Sequence, residues 1–208
     1  MSTTNKSTTG IKLTYFDFSG SRGEECRLAL AVAGIDFFDD RVKGEQWPER
    51  KPLTPFGEMP VLEIEGEGVL AQSNAILGLI GTRYGLLPGD SFEAARHISL
   101  LNAIEDMSRQ ISVTFPMADE EKKKAREALA DGYMKDWANN IVKQIKGPFV
   151  AGDTISVADI KLFVFLQWVK NGDLDYVATN YFDGYPELSV LFDAVSNHPK
   201  VIQWYSKK

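Results

Sequence analysis

The stretch from Leu53 to Ala75, Leu-Thr-Pro-Phe-Gly-Glu-Met-Pro-Val-Leu-Glu-Ile-Glu-Gly-Glu-Gly-Val-Leu-Ala-Gln-Ser-Asn-Ala, limits what the rest of the chain can fold into. Val61, Leu62 and Ile64 read as a strand, Glu65 to Gly68 as a turn, Val69 and Leu70 as a second strand, and Gln72-Ser73 as the opening of a helix. Proline has no N–H to give to a ladder. Pro60 therefore belongs at the start of its strand or on an edge, and the backbone of Met59 is left outside normal pairing. Ser73 is placed to cap the helix, whose first N–H groups form a ready anion site. An open strand end beside a helix N-terminus suits a ligand with a peptide backbone and a carboxylate.

The segments on the N-terminal side fit a sheet that this hairpin completes. Ile11 to Phe16 alternates apolar and polar residues before a Gly/Ser loop, a strand signal. Arg22 to Ala33 reads as a helix closed by Gly34, and Phe37 to Val42 as a second strand. Trp47-Pro48, Pro52 and Pro55 make the next stretch irregular, with at most a short helix. Gln72 to Tyr84 is the covering helix, with Ala75, Ile76, Leu79 and Ile80 on one face. A βαβ unit followed by a hairpin and a helix is a thioredoxin-like layout, βαβαββα once the irregular stretch contributes its short helix.

Residues 85–90, Gly-Leu-Leu-Pro-Gly-Asp, break the pattern, and beyond them the periodicity is helical throughout. Phe92 to Phe115 and Glu120 to Lys146 each repeat apolar residues at helical spacing, the second at Ala125, Leu129, Tyr133, Trp137, Ile141 and Ile145. Val157 to Val169 is apolar on nearly every side and predicts a buried central helix. Ser156 and Asp159 ahead of it form a capping box with Asp in the usual Glu position. Shorter helices follow around Pro186 to Val195 and Pro199 to Tyr205. The expected organisation is a tail at 1–10, a thioredoxin-like domain at 11–84, a linker at 85–90 and an all-α domain at 91–208.

Composition excludes several classes of function. A net charge of -6 with scattered lysines and arginines argues against nucleic acid as a partner. The Ser/Thr-rich start lacks the apolar run of a targeting peptide, and no stretch approaches the roughly 18 apolar residues of a membrane span. A cytoplasmic protein is expected. One cysteine, Cys26, rules out an intrachain disulfide or CxxC pair, and with two histidines, His97 and His198, no metal centre is expected. Cys26 lies well inside its helix and reads as a packed small apolar residue.

Taken in order, Leu-Thr-Tyr-Phe at 13–16, Arg22 with Glu24 and Arg27, Trp47, Pro-Phe-Gly-Glu-Met-Pro at 55–60, Gln72-Ser73-Asn74-Ala75-Ile76 and the Ser156/Asp159 box resemble the cytosolic glutathione transferases. The sigma class, which includes haematopoietic prostaglandin D synthase, is the nearest. The resemblance spans about Ile11 to Trp204. It implies a homodimeric transferase that uses glutathione as co-substrate, conjugates its thiolate to hydrophobic electrophiles and needs no metal.

On that resemblance the Tyr15 hydroxyl is the catalytic donor to the glutathione sulfur, with Arg22 close by. Trp47 and Lys51 hold the glycine end. Met59 pairs its backbone with the cysteinyl unit, its bond to Pro60 being cis, and Gln72 and Ser73 take the γ-glutamyl carboxylate. Asp106, with Glu105 in reserve, reaches the γ-glutamyl ammonium of the neighbouring subunit. Phe56 either inserts into that subunit or fills the edge of its own domain. The loop Asp17-Phe-Ser-Gly-Ser21 is longer than in the prostaglandin synthases, which brings Ser19 and Ser21 into consideration as alternatives to Tyr15. A non-catalytic ligand-binding or structural protein on the same fold, and a glutathione-dependent isomerase or peroxidase, are the competing functions.

Overall fold

A computed structural model describes residues 10–206; the expected N-terminal tail, apart from Gly10, lies outside the described residues. The chain divides into two compact units. One runs to Leu86 and takes back the segment from Pro199, and the other is Leu87–His198.

In the first unit β1 (Ile11–Phe16) leads into α1 (Ser21–Ala33), β2 (Phe38–Val42), the short α2 (Trp47–Arg50), β3 (Val61–Ile64), β4 (Gly68–Ala71) and α3 (Ser73–Tyr84). The strands form one sheet in the order β2-β1-β3-β4, parallel between β1 and β2 and antiparallel elsewhere. Leu13 lies opposite Leu62, both fully buried, and this cross-strand pair sets the register of the sheet centre. Pro60 immediately precedes β3, so no ladder N–H is missing where it stands. Gly34 ends α1 in the left-handed conformation, φ 75°, its N–H returning to Ala31 and Leu30.

Three details differ from expectation. Gln72, not Ser73, occupies the cap position of α3, with φ 73°; Ser73 is the first helical residue, and no side chain caps the helix. The covering face is Ile76, Leu77, Ile80 and Gly81 rather than the row through Ala75, which is exposed. The late helix α9 belongs to this unit although the periodicity places it with the helical half: its residue Trp204 stacks on Phe37 and donates from Nε1 to Glu24 Oε1 at 2.8 Å.

The second unit is helical: α4 (Ser91–Ser112), α5 (Asp119–Leu129), α6 (Lys135–Ile141), α7 (Val157–Lys170) and α8 (Pro186–Ser196), with α9 (Pro199–Tyr205) following beyond its boundary. The long helix expected from Glu120 is divided by a π turn, Ala130–Met134, which contains Gly132. A π turn fits an extra residue into the helix and rotates the face that follows it. Tyr133 is accordingly exposed and Met134 fully buried, the reverse of an unbroken α-period.

Helix α7 is buried along almost its whole length, and two of its charged groups, Asp159 and Lys161, are paired within the core. Lys161 Nζ bonds Glu105 Oε2 at 3.0 Å. Asp159 Oδ2 accepts from Ser156 N at 2.8 Å and from Ser156 Oγ at 2.6 Å, while Oδ1 accepts from Val150 N at 2.7 Å. The box therefore holds a loop as well as a helix start. His97 Nδ1 lies 3.0 Å from Ser156 Oγ, which makes this histidine part of the packed cap.

Burial pushes the Asp159 carboxyl up from 3.8 to about 6, against the pull of its N–H donors. A carboxyl raised on folding adds stability that is complete below its unfolded pKa and lost as pH rises through the folded one. Between pH 4 and 7 the unfolding free energy should fall by on the order of 3 kcal/mol on this account. In Asp159→Asn that slope should vanish, on a baseline lower by about 1 to 3 kcal/mol because one amide oxygen replaces two accepting oxygens. Denaturant titrations at the two pH values measure both; an equal slope in the variant contradicts the assignment.

Candidate functional site

The site grows from the end of β1. Tyr15 is 5% exposed and packs in one cluster with Val42 and Met59, flanked by Phe16 and Trp47. Trp47, the first residue of α2, meets Phe16 edge-to-face at 5.5 Å. Phe18 tilts against the Tyr15 ring at 5.6 Å and stays half exposed, an apolar surface beside the phenol. The other side of the ring is closed by Gly23. A Cβ there would stand 2.0 Å from Tyr15 Cδ1, so only glycine lets α1 lie against the ring.

The loop between β1 and α1 is held by Arg27, whose side chain is fully buried. Its Nε bonds Asp39 Oδ1 at 2.8 Å, Nη1 bonds the Phe18 carbonyl at 2.9 Å and Nη2 the Phe16 carbonyl at 3.1 Å. The guanidinium also lies 5.7 Å from the centre of the Tyr15 ring. These contacts lead the chain to Ser21, which opens α1 at φ 54° and accepts a hydrogen bond from Tyr15 Oη at 3.4 Å. Burial raises the Tyr15 pKa, while the Ser21 bond and the nearby Arg22 charge lower it. Ser19 lies on the exposed part of the loop.

Met59 is buried, its bond to Pro60 is cis, and the last pair of the β1/β3 ladder is Thr14 with Val61. Gln72 is exposed and its amide donates to Glu58 at 3.2 Å. Ser73 is buried behind it at the start of α3. A 12-residue helix without a capping side chain directs its first N–H groups, and the positive end of its dipole, at this corner. Lys51 is exposed, with its stem running past Gly57.

Tyr15, Trp47 and Met59 thus share one cluster, with Ser21 and Arg22 next to the phenol. Asp106 belongs to the other unit, on the exposed side of α4. Glu105 does not share that face. It is buried in the pair with Lys161, with Arg109 at 3.8 Å, because the neighbouring position on a helix points about 100° away, so the reserve role is withdrawn. Phe56 is 67% exposed, which excludes the reading that it fills its own domain's edge.

Sequence reasoning missed three contributors: Gly23, the Arg27–Asp39 pair and Glu58. A glycine within the first turn of α1 and an arginine between Cys26 and Leu28 were the available signals for the first two. Among the described residues there is no group of His, Cys, Asp and Glu fit to hold a metal ion, and no helix is long and apolar enough to cross a membrane.

Two family models account for most of the chain. Residues 11–81 match the glutathione S-transferase N-terminal domain and residues 105–208 the glutathione S-transferase C-terminal domain. Glutathione S-transferase 1 of Ascaris suum is 30% identical over 206 residues, 95% of this chain and 96% of the relative. The solved structure of prostaglandin synthase D of Nilaparvata lugens superposes with a TM-score of 0.84 at 32% identity, covering 95% of this chain and 98% of the other. A glutathione S-transferase of the hookworm Necator americanus, described as monomeric, superposes at 0.77 with 28% identity over 95% and 97%. With both domain models matched along a thioredoxin-like sheet unit and a helical unit, the chain belongs to the glutathione S-transferase family.

Proposed function

We propose that this transferase is a cytoplasmic, sigma-class-like homodimer that holds glutathione along Met59 and α3, lowers the thiol's pKa through the Tyr15 hydroxyl, and conjugates the thiolate to hydrophobic electrophiles. The observation that carries the reading is the placement of Tyr15: its ring is wedged between Gly23 and Phe18, and its hydroxyl faces the start of α1 beside Ser21 and Arg22.

Energetically the demand is modest. A free thiol with a pKa of about 8.5 is roughly 3% thiolate at neutral pH, and lowering it by about two units takes about 2.7 kcal/mol of differential stabilisation. One aimed hydroxyl donor, helped by a helix N-terminus and a cation, supplies that order of energy. The raised pKa of Tyr15 keeps it protonated at neutral pH and therefore able to donate.

The tripeptide is assigned by chemistry that each residue offers. Met59 presents backbone N–H and carbonyl groups just ahead of the ladder and suits the cysteinyl unit. Gln72 and Ser73 at the start of α3 suit the γ-glutamyl carboxylate, and Trp47 and Lys51 suit the glycine carboxylate. Asp106, exposed on α4, is assigned to the γ-glutamyl ammonium bound by the partner subunit. A glutathione-dependent isomerase is the second reading, favoured by the likeness to a structure named as a prostaglandin synthase. Product analysis with a prostaglandin endoperoxide and an aryl halide separates the two.

Tyr15→Phe should raise the pKa of the bound thiol by about one to two units and cut aryl halide conjugation about 10- to 100-fold at neutral pH. Unchanged turnover in Tyr15→Phe together with abolished turnover in Ser21→Ala sinks the assignment. Gly23→Ala, which drives a methyl into the phenol ring, should reproduce most of the Tyr15→Phe loss and cost about 1 to 3 kcal/mol of stability. Asp106→Ala should raise KM for glutathione severalfold with kcat and the thiol pKa little changed; an unaltered KM removes Asp106 from the site.

A further inference from the structure

Tyr15 and Ser21 bring their hydroxyls to 3.4 Å across the turn between β1 and α1, with Tyr15 Oη donating to Ser21 Oγ. The usual separation for an O–H···O pair is about 2.7 to 2.8 Å, so this bond is long and readily exchanged for a better acceptor. A hydroxyl carries one hydrogen and two lone pairs. When Tyr15 turns its hydrogen to a thiolate, both lone pairs of Oη remain, and Ser21 has lost the hydrogen it was accepting. Rotation about the Ser21 Cβ–Oγ bond then aims the serine hydrogen at Tyr15 Oη. No covalent bond changes and no net proton is moved; the pair reverses its direction of donation.

Ser21 is placed for this by features that packing alone does not require. It holds φ 54°, a left-handed conformation that is costly for a residue with a Cβ and is flanked here by Gly20. The loop that delivers it is tied down by Arg27 through the Phe16 and Phe18 carbonyls. Ser21 itself is exposed, so its hydroxyl contributes little to the core, yet it sits against the one phenol that the site is built around.

Resting on the reading of Tyr15 as donor to the sulfur, we infer that Ser21 is a positioning residue that acts through Tyr15. Its hydroxyl accepts from Tyr15 while the site waits, and donates to Tyr15 once Tyr15 donates to the thiolate. Donation into Tyr15 Oη polarises its O–H and strengthens the bond to sulfur, as in other hydrogen-bond chains where each member gains on the order of 10 to 30%. This places the two hydroxyls in series, not in competition for the sulfur.

The test is a double-mutant cycle read by the pKa of enzyme-bound glutathione, followed through the ultraviolet absorption of the thiolate against pH. Ser21→Ala should raise that pKa by roughly half a unit in the wild-type background and leave it unmoved in Tyr15→Phe. Ser21→Gly lacks the hydroxyl as Ala does but relieves the strain at φ 54°, so it should shift the pKa by the same amount. The inference is overturned by equal Ser21→Ala shifts in both backgrounds, which would place the serine directly on the sulfur. It is equally overturned if Gly and Ala differ, or if turnover falls with the thiol pKa unmoved, since either marks a backbone role. Tyr15→Phe alone reports on the underlying reading: an unmoved thiol pKa there removes Tyr15 as donor, whereas a raised one with silent serine variants removes only Ser21.

Discussion

The buried guanidinium of Arg27 is the interaction on which the sheet unit's chemistry depends. A single planar group joins three pieces of chain: α1, which carries it; β2, through Asp39; and the turn after β1, through the Phe16 and Phe18 carbonyls. Burying such a charge is unfavourable unless every donor finds an acceptor, and removing one partner of a buried pair costs about 3 to 5 kcal/mol. Asp39 is itself shared with Arg41, which also reaches Asp17 of the turn at 3.5 Å, so the turn is tied to the sheet edge through two cations. With the turn held in this way, α1 can begin at Ser21 and Gly23 can meet the face of Tyr15. The rigidity that the phenol needs is thus supplied by polar contacts beneath a mostly apolar helix.

The helical unit uses the same device. In α7 the two charged side chains that would be costliest in a core, Asp159 and Lys161, are met by donors and acceptors from elsewhere in the unit. Asp159 fastens the start of α7 and the loop at Val150, and Lys161 ties α7 to α4 through Glu105. On α4 the Glu105 of that pair faces the core together with the apolar row Leu101, Ile104, Met107 and Ile111. With Glu105 turned into the core, Asp106 is left on the solvent face. A buried pair of this kind is weak support for stability and better suited to fixing which way a helix faces.

Local rules were enough for much of this molecule because its key segments obey them without help from distant residues. Pro60 implied a strand start and a Met59 outside the ladder, Gly34 a helix end, and the apolar run at Val157 a buried helix, and each stands where it was expected. Where expectation failed, backbone geometry that residue type does not specify decided. Ser73 is a good cap by residue type, yet the chain turns at Gln72 in a positive-φ conformation, so the serine lies one step inside the helix. The π turn at Ala130–Met134 inverts the exposure of Tyr133 and Met134, which an ideal 3.6 period cannot foresee. The need for glycine at position 23 is visible only with the Tyr15 ring in place. The family resemblance suggested Tyr15, with Ser19 and Ser21 as alternatives on the same turn, and three-dimensional placement set Ser21 against Tyr15 while leaving Ser19 on the loop's exposed part.

The central claim is that Tyr15 supplies the hydrogen bond that makes the bound thiol nucleophilic. A crystal structure of the glutathione complex tests it most directly, through the distances from the sulfur to the hydroxyls at this turn. The account predicts Tyr15 Oη within hydrogen-bond reach of the sulfur and the Ser21 hydroxyl within reach of Tyr15 Oη, with Ser21 itself off the sulfur. A sulfur in contact with Ser19 or Ser21 and beyond the reach of Tyr15 would contradict it.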